Sequence, residues 1–195
     1  MSERDASTQD AEQALTRYRT LFNSIDEGYC VVRVLFDESG RPRDYVFEEV
    51  NLAFERHTDI KDAVGRSMRD IAPGHESHWY DMFGRVALTG EPKRFVSIAK
   101  ALHRWFDVYA FRVGQADARR VAVLFRDITQ RILTEEALRE SEQRFRNMAN
   151  NAPVMVWVTE PDRTCSFLSQ SWYDFTGQTP QTGLGFGWSD AVHPD

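Results

Sequence analysis

Apolar residues recur at steps of three and four near the start of the chain. Between residues 11 and 25 they fall on one helical face, made of Ala11, Ala14, Leu15, Tyr18, Leu21, Phe22 and Ile25. This spacing predicts an amphipathic helix with one face available for packing. Asp10 precedes the pattern, and its carboxylate suits an N-cap, so we expect the helix to begin there.

Five later runs have the length and composition of β-strands, being rich in β-branched and aromatic residues and bounded by Gly, Pro or polar residues. They are YCVVRVLF (29–36), DYVFEEVN (44–51), PKRFVSIAK (92–100), HRWFDVYAFRV (103–113) and RRVAVLFRDI (119–128). Short helical segments fill residues 52–88. Because the helices gather in one connection, the order predicts an α+β fold, a five-stranded antiparallel sheet with helices on one face.

A further helix is predicted to follow the last strand. Residues 129–148 contain neither Gly nor Pro and carry charges of both signs, which is typical of an exposed helix. Its apolar stripe is interrupted by charged residues and comprises Ile128, Ile132, Leu138, Phe145 and Met148. A tight isolated coiled coil is therefore not expected, and a dimer seam supported by flanking domains fits the pattern better.

The chain also resembles itself. Residues 17–32 align with residues 144–159, and residues 50–59 align with residues 168–177. The two alignments differ in offset because the first hairpin has the longer loop, and surface loops tolerate such insertions. A second copy of the same unit therefore begins near residue 144.

The predicted domain boundaries follow from this repeat. The second copy stops before any counterpart of the three late strands, and half a sheet cannot bury its apolar face, so we expect residues 152–195 to be poorly ordered or to lean on a neighbour. The predicted segments are a polar N-terminal stretch with the start of a helix (1–14), a complete domain (15–128), a linker helix (129–148) and a truncated second domain (149–195).

Composition narrows the function classes. A hydrophobic fraction of 42% is enough for a packed core, and a net charge of -6 argues against a nucleic-acid binder. No apolar run approaches the roughly 18 residues of a membrane span, and the polar N-terminus lacks the apolar core of a signal peptide, so we expect a cytoplasmic chain. Cys30 and Cys165 lie in strand-like runs without metal-ligand spacing and are expected to be buried thiols.

Several segments, taken in order, resemble the PAS family of sensor domains. The segments are FNSIDEGYCVV, VNLAFERHTDI, HWYDMFGRVALTGEP, RWFDVYAFRV and VAVLFRDITQR. The last resembles the D-I-T-x-R ending that joins many PAS sheets to an output helix, and it places Asp127, Thr129 and Arg131 at the handover from strand to helix. The resemblance covers residues 15–131 fully and 142–195 in part.

The resemblance implies a PAS fold that encloses a small pocket and passes a change to an output helix. It further implies a homodimer, an unidentified small ligand or partner, and an output domain downstream in the same chain. The expected parent is a sensor histidine kinase. The alternatives are a cyclic-dinucleotide synthase or hydrolase, and a structural dimerisation or interaction domain with a filled core.

Candidate site residues follow from the aromatic residues on the elements that surround a PAS pocket. The pocket candidates are Tyr29, Phe54, Trp79, Phe83, Trp105 and Tyr109, with Tyr80, Phe106 and Phe111 beside them. Such rings either line a cavity or simply fill the core. Asp127, Thr129 and Arg131 are expected to couple sheet to helix or to act as an ordinary helix cap, with Arg131 paired to Asp127.

The resemblance also allows known PAS cofactors to be tested. Covalent flavin chemistry needs a cysteine where this chain has Met68, and haem binding needs a histidine where this chain has Trp79, with His78 one step away. Both cofactors are therefore not expected, and the cofactor stays unknown. His75 and His78 stand three apart but lack a third ligand, so no metal site is predicted.

No catalytic arrangement is apparent in the sequence. We find no nucleophile with a neighbouring base, no acid pair and no kinase or phosphate-loop signature. Residues 129–150 contain no histidine that could accept a phosphoryl group on the linker helix. The chain itself is therefore predicted to be non-catalytic.

Overall fold

The computed structural model describes residues 3–192, with side chains from residue 13 onward. Two compact units divide between Ile132 and Leu133. The elements before the division are α1 (Glu3–Ser24), β1 (Gly28–Phe36), β2 (Pro42–Val50), α2 (Leu52–Thr58), α3 (Met68–Ile71), α4 (Ser77–Thr89), β3 (Lys93–Ala99), β4 (Arg104–Val113) and β5 (Arg120–Asp127). Helix α5 (Thr129–Asn151) follows, and the elements after it are β6 (Trp157–Thr159), β7 (Cys165–Leu168), α6 (Gln170–Thr176) and α7 (Pro180–Gly183).

The first unit is built on one sheet with the strand order β2-β1-β5-β4-β3. Every neighbouring pair is antiparallel. This confirms the predicted α+β class and the five-stranded antiparallel sheet.

The two faces of the sheet differ because successive side chains of a strand point to opposite sides. The face toward α2, α3 and α4 carries the core, to which the strands contribute Cys30, Val32, Val34, Tyr45, Phe47, Phe106, Val108, Ala110, Val121, Val123 and Phe125. The opposite face, called here the outer face, carries charged and half-buried residues such as Arg33, Asp107 and Tyr109. The core therefore lies between one face of the sheet and the helices, as the sequence predicted.

Helix α1 differs from the prediction at its start. It begins at Glu3 rather than at Asp10, because residues 3–10 contain no Gly or Pro that would stop a helix from extending toward the N-terminus. Of the predicted apolar face, Phe22 is buried and stacks edge-on against Tyr29 at 5.0 Å between ring centroids. Leu15 and Leu21 are 50% and 68% exposed, and the side chain of Ala11 lies outside the described residues.

Asn51 ties α1, β1 and α2 together. It caps α2, and its side-chain Oδ1 accepts hydrogen bonds from the backbone N–H groups of Phe54 and Tyr29, both at 2.9 Å. Its Nδ2 donates to the carbonyls of Phe22 and Glu27 at 3.2 and 3.0 Å. Four bonds therefore satisfy a side chain that is 1% exposed.

In the second unit, Ser169 occupies the N-cap position of α6, but its side chain makes no hydrogen bond to that helix. Its Oγ accepts a hydrogen bond from the N–H of Val156 at 3.0 Å, and its own N–H donates to the Val156 carbonyl at 2.8 Å. A small cluster of Cys165, Leu168 and Trp172 forms its core. Elements continue to Ala191, and residues 193–195 lie outside the described part. Poor order of residues 152–195 stays a prediction.

Candidate functional site

A cavity of about 60 Å³ lies between the inner face of the sheet and the helices. Its walls come from all five strands of the first unit, from helices α2, α3 and α4, and from the loops beside them. The residues around it are Cys30, Val32, Tyr45, Phe47, Phe54, Thr58, Ile60, Met68, His75, Trp79, Phe83, Ala99, Leu102, Phe106, Val108, Val123 and Phe125. The lining is apolar apart from a few polar side chains, as in small-molecule sites.

Seven aromatic side chains form a closed loop around this cavity, called here the aromatic loop. Adjacent rings are in contact, with centroid separations from 5.2 to 6.5 Å. In order, the rings are Tyr45, Phe47, Phe54, Phe125, Phe106, Trp79 and Phe83, and Phe83 returns to Tyr45. All seven contacts are edge-to-face or tilted, the arrangement that aromatic quadrupoles favour.

Polar side chains gather where α4 begins. The Tyr45 hydroxyl lies 3.2 Å from His75 Nε2, and His75 Nδ1 lies 3.8 Å from Glu76 Oε2, which is beyond hydrogen-bond distance. Among the described residues, His75 Nδ1, Glu76 Oε2 and Trp79 Nε1 are buried without a hydrogen-bond partner. This end of the cavity therefore carries unsatisfied hydrogen-bonding capacity.

Burial controls the charge state of His75, whose side chain is 3% exposed. Burial lowers the pKa of the imidazole from 6.5 to about 4, although the nearby carboxylates of Glu76 and Asp44 act in the opposite direction. Burial also raises the pKa of the Tyr45 hydroxyl well above its usual value. At neutral pH the Tyr45–His75 pair is therefore uncharged.

The structure places three of the six pocket candidates around the cavity, and these are Phe54, Trp79 and Phe83. The other three, Tyr29, Trp105 and Tyr109, point to the outer face, so the expectation that they line the cavity is wrong. The reason is strand alternation: Phe106 and Val108 point inward, so Trp105 and Tyr109 cannot. Of the residues named beside them, Phe106 lines the cavity, while Tyr80 and Phe111 do not. Ligand binding by any of them stays a prediction.

Tyr45, Phe47 and His75 also line the cavity, although the sequence pattern did not single them out. The alternation of apolar and polar residues in DYVFEEV could have indicated Tyr45 and Phe47. These two residues are two positions apart, so their side chains point to the same face of β2. For His75 there was no such signal, since it precedes α4 in a loop and is oriented by tertiary packing.

A compact set of hydrogen bonds stabilises the junction between β5 and α5. Asp127 Oδ1 accepts hydrogen bonds from the N–H and the hydroxyl of Thr129, at 2.8 and 2.5 Å. Thr129 Oγ1 accepts from the backbone N–H of Trp105 at 2.8 Å, and the N–H of Ile128 donates to the Trp105 carbonyl at 2.8 Å. The first residues of α5 are therefore fixed to strand β4 as well as to β5.

Arg104 completes this junction. Its guanidinium donates to Asp127 Oδ2 at 2.6 Å and also pairs with Asp59, which follows α2. Burial raises the pKa of the Asp127 carboxyl, but the hydrogen bonds from Thr129 and Arg104 outweigh it, and the pKa lies below its usual value. Arg131 lies exposed on α5 and contributes to lowering the pKa of Asp107 on the outer face. Asp127 therefore pairs with Arg104, and the pairing of Arg131 with Asp127 stays a prediction.

Comparison with known proteins identifies the family. The sequence profile described as "PAS domain" matches residues 16–90 and 143–195, which together exceed half of the chain. The chain belongs to the PAS domain family. PAS domains are sensory modules that are generally non-catalytic, and the second match falls on the second unit.

One relative is an uncharacterised protein of Sinorhizobium fredii, which is 38% identical over 112 residues. The aligned part is 55% of this PAS chain and 14% of that protein, so the chain spans about a seventh of the relative's length. Solved PAS structures are also similar. The PAS domain of an HTR-like protein from Haloarcula marismortui is 17% identical, with 64% of this chain and 99% of that chain covered at a TM-score of 0.46. The PAS domain of Bordetella pertussis BvgS is 16% identical, with 67% and 98% covered at a TM-score of 0.40.

The residues relevant to PAS cofactors and metals are placed as follows. Met68 is buried at the cavity, Trp79 lies in the aromatic loop, and His78 is exposed with Nε2 2.8 Å from Ser97 Oγ. Within residues 13–192, whose side chains the structure describes, no three His, Cys, Asp or Glu side chains are grouped closely enough to hold a metal ion. Cys30 and Cys165 are free and buried, and burial raises the pKa of the Cys30 thiol. In the same range, no helix has the length and apolar character needed to cross a membrane.

Proposed function

We propose that the first unit of this PAS chain senses a small ligand in its cavity and transmits the change to α5 through Asp127 and Thr129. The observation that supports this most directly is a strand pairing. Phe106 lines the cavity, and its partner in the β4–β5 register is Asp127, the residue that caps α5. One pair of strand residues therefore links the cavity wall to the start of the helix.

The direction of coupling follows from this link. A ligand that pushes on Phe106 or Phe125 displaces strands β4 and β5 relative to each other. Because Thr129 is bonded to Trp105 of β4 and to Asp127 of β5, such a displacement changes the hydrogen bonds at the start of α5. The change requires only that the ligand bind the displaced arrangement of β4 and β5 more tightly than the resting arrangement.

Amide hydrogen exchange tests the coupling. A thermal-shift screen first selects a small molecule that stabilises the chain, because a ligand selective for the native state raises stability. Exchange is then followed at the amides of residues 129–133 with and without that molecule. We expect wild type to show a ligand-dependent change that Asp127→Ala, which removes the acceptor for Thr129, abolishes while ligand affinity stays within about twofold.

Asp107→Ala is the matched control. Asp107 also forms an ion pair with an arginine, Arg94, at 2.7 Å, but it lies on the outer face and does not cap α5. This variant should keep the ligand-dependent change in exchange. An equal loss in both variants, or a ligand that binds the cavity without altering exchange at 129–133, would refute the coupling.

For the parent protein we propose a cytoplasmic sensor histidine kinase, with a cyclic-dinucleotide synthase or hydrolase as the alternative. The support is the D-I-T-x-R ending, in which Asp127 and Thr129 hold a long α5 helix suited to carrying a signal toward an output domain. The domains that accompany this PAS chain in the parent protein decide between them. A dimeric helix pair with a phospho-accepting histidine is expected, and a cyclase domain would favour the alternative.

We also propose that the chain forms a homodimer through α1, supported by α5. The support is exposed apolar surface on both helices, including Leu21 on α1 and Leu138 and Met148 on α5. Light scattering should give twice the chain mass of 22.6 kDa for wild type and the monomer mass for Leu21→Asp. Leu52→Asp is the control, because Leu52 is similarly exposed but lies on α2, and it should stay dimeric.

The second candidate is a structural interaction domain whose core binds nothing small. The cavity volume of about 60 Å³ favours it, because typical ligand sites are roughly 300–1,000 Å³. Failure of a broad screen to stabilise the chain, together with an intact homodimer, would support this candidate over the sensor.

A further inference from the structure

Two buried hydrogen-bond donors lie on stacked rings at the α4 end of the cavity. The rings of His75 and Trp79 stack with centroids 5.6 Å apart, and Trp79 is 4% exposed. Neither Trp79 Nε1 nor His75 Nδ1 has a hydrogen-bond partner among the described residues. An indole N–H can only donate, so Trp79 requires an acceptor that the surrounding protein does not supply.

The Glu76 carboxylate indicates how His75 is protonated. Glu76 Oε2 lies 3.8 Å from His75 Nδ1, and a carboxylate beside a ring nitrogen favours the tautomer with the proton on that nitrogen. The Tyr45 hydroxyl then donates to Nε2. Both polar ring atoms without a partner, one on His75 and one on Trp79, are donors in this arrangement.

The charge of the lining restricts the ligand further. The residues around the cavity include no Lys, Arg, Asp or Glu, so a charged ligand would be buried without a counter-charge. An anion would also approach the partly buried carboxylate of Glu76, whose Oε2 is buried beside His75. Burying an unpaired ion costs far more than burying a neutral polar group, which excludes carboxylates and ammonium groups as ligands of the resting cavity.

The volume sets the size. A cavity of about 60 Å³ holds only a few atoms of the size of a water molecule. Ligands this small bind no more tightly than roughly 10⁻⁵ M, because the best small ligands gain a limited free energy per heavy atom.

We propose that the cavity takes a compact neutral molecule with an apolar body and one oxygen acceptor, which receives the Trp79 indole N–H and lies beside His75. The proposal rests on the sensing role proposed above and names the chemical class of the ligand. A carbonyl or ether oxygen satisfies the unpaired donors, and the apolar body contacts the aromatic loop.

Three probes of one shape test the class: acetone, isobutene and acetate. They have the same four-heavy-atom skeleton and differ in carrying an acceptor, no acceptor, or a charge. The readout is the indole ¹H–¹⁵N spectrum of the whole chain, whose five tryptophans each give one signal. We expect acetone to shift the Trp79 signal downfield with saturation, isobutene to bind at least tenfold more weakly, and acetate to leave the signal unchanged.

Two variants test whether Trp79 is the residue that donates a hydrogen bond to acetone. Trp79→Phe removes the donor and, with binding followed at the backbone amide signals of the residues around the cavity, should reduce the affinity for acetone to that for isobutene. Trp105→Phe is the control, since Trp105 lies on the outer face, and it should bind acetone as wild type does. If Trp79→Phe fails to fold, the comparison of the three probes on wild type decides alone.

The outcomes separate this inference from the proposed function. Equal binding of isobutene and acetone, strong binding of acetate, no binding of acetone, or saturation without movement of the Trp79 signal overturns the ligand class. Acetone that binds at Trp79 without altering exchange at residues 129–133 supports the ligand class and contradicts the coupling. A purely apolar or charged ligand that alters exchange at residues 129–133 supports the coupling and contradicts the ligand class.

Discussion

Acidification should destabilise the first unit through one buried side chain, His75. The folded pKa of this imidazole is about 4, whereas an exposed histidine has a pKa of 6.5. As the pH falls, the unfolded chain therefore takes up a proton before the folded chain does. The stability that neutral His75 contributes is complete above about pH 6.5 and is lost as the pH falls toward 4.

The magnitude follows from the gap between the two pKa values. A difference between 6.5 and about 4 corresponds to roughly 3 kcal/mol, at 1.36 kcal/mol for each pH unit. The cause is mainly burial, and the neighbouring charges of Glu76, His78 and Asp44 modify it. A loss of this size is a large fraction of the total stability of a typical domain.

Urea unfolding of the full chain at pH 7 and at pH 4 measures the effect, with resonances of the first unit as the probe. His75→Gln should lose about 3 kcal/mol less stability over this range than wild type, because Gln is never charged and its amide can still bond to the Tyr45 hydroxyl. His78→Gln is the control and should behave as wild type, since His78 is exposed. The reasoning fails if His75→Gln and wild type lose stability equally, or if the His75 ring titrates near 6.5 in a direct resonance titration.

Two further predictions concern packing and capping. Gly84→Ala should destabilise the chain by about 1–3 kcal/mol, because a Cβ there would overlap the Pro42 ring, whereas Gly74→Ala, with open space around it, should change stability little in the same urea assay. Asn51→Ala should cost about 2–4 kcal/mol because four buried or partly buried backbone groups lose the Asn51 side chain as a hydrogen-bond partner, and Asn51→Ser, which retains one acceptor, should cost less. A neutral Gly84→Ala, or equal costs for the two Asn51 variants, would contradict these accounts.

The fold was largely predictable from the sequence because local pattern and fold agree. The five strand-like runs end within about two residues of the observed strands, since Gly40, Pro42 and Gly114 interrupt the apolar runs where the chain turns. The start of α1 was not predictable in the same way. Asp10 looks like a cap in sequence, but a residue caps a helix only when the backbone before it is not helical, and here it is.

The site was less predictable because aromatic residues occur on both faces of β4. In RWFDVYAFRV the pattern alone does not show which alternate residues face the helices. The sequence therefore favours Trp105 and Tyr109 as cavity residues, whereas Phe106 and Val108 line the cavity. Arg104 shows a second limit. Its pairing with Asp127 depends on the antiparallel register of β4 and β5, which brings together residues 23 positions apart.

The aromatic loop gives the protein a built-in optical reporter. Tyr45 and Trp79 are held rigidly among phenylalanine rings, and aromatic side chains fixed in an asymmetric environment produce a near-ultraviolet circular dichroism signal. Every ring of the loop has two aromatic neighbours, so a molecule that turns one ring alters the surroundings of the next. Occupancy of the interior should therefore be visible in unlabelled protein as a change in that spectrum, without any attached dye.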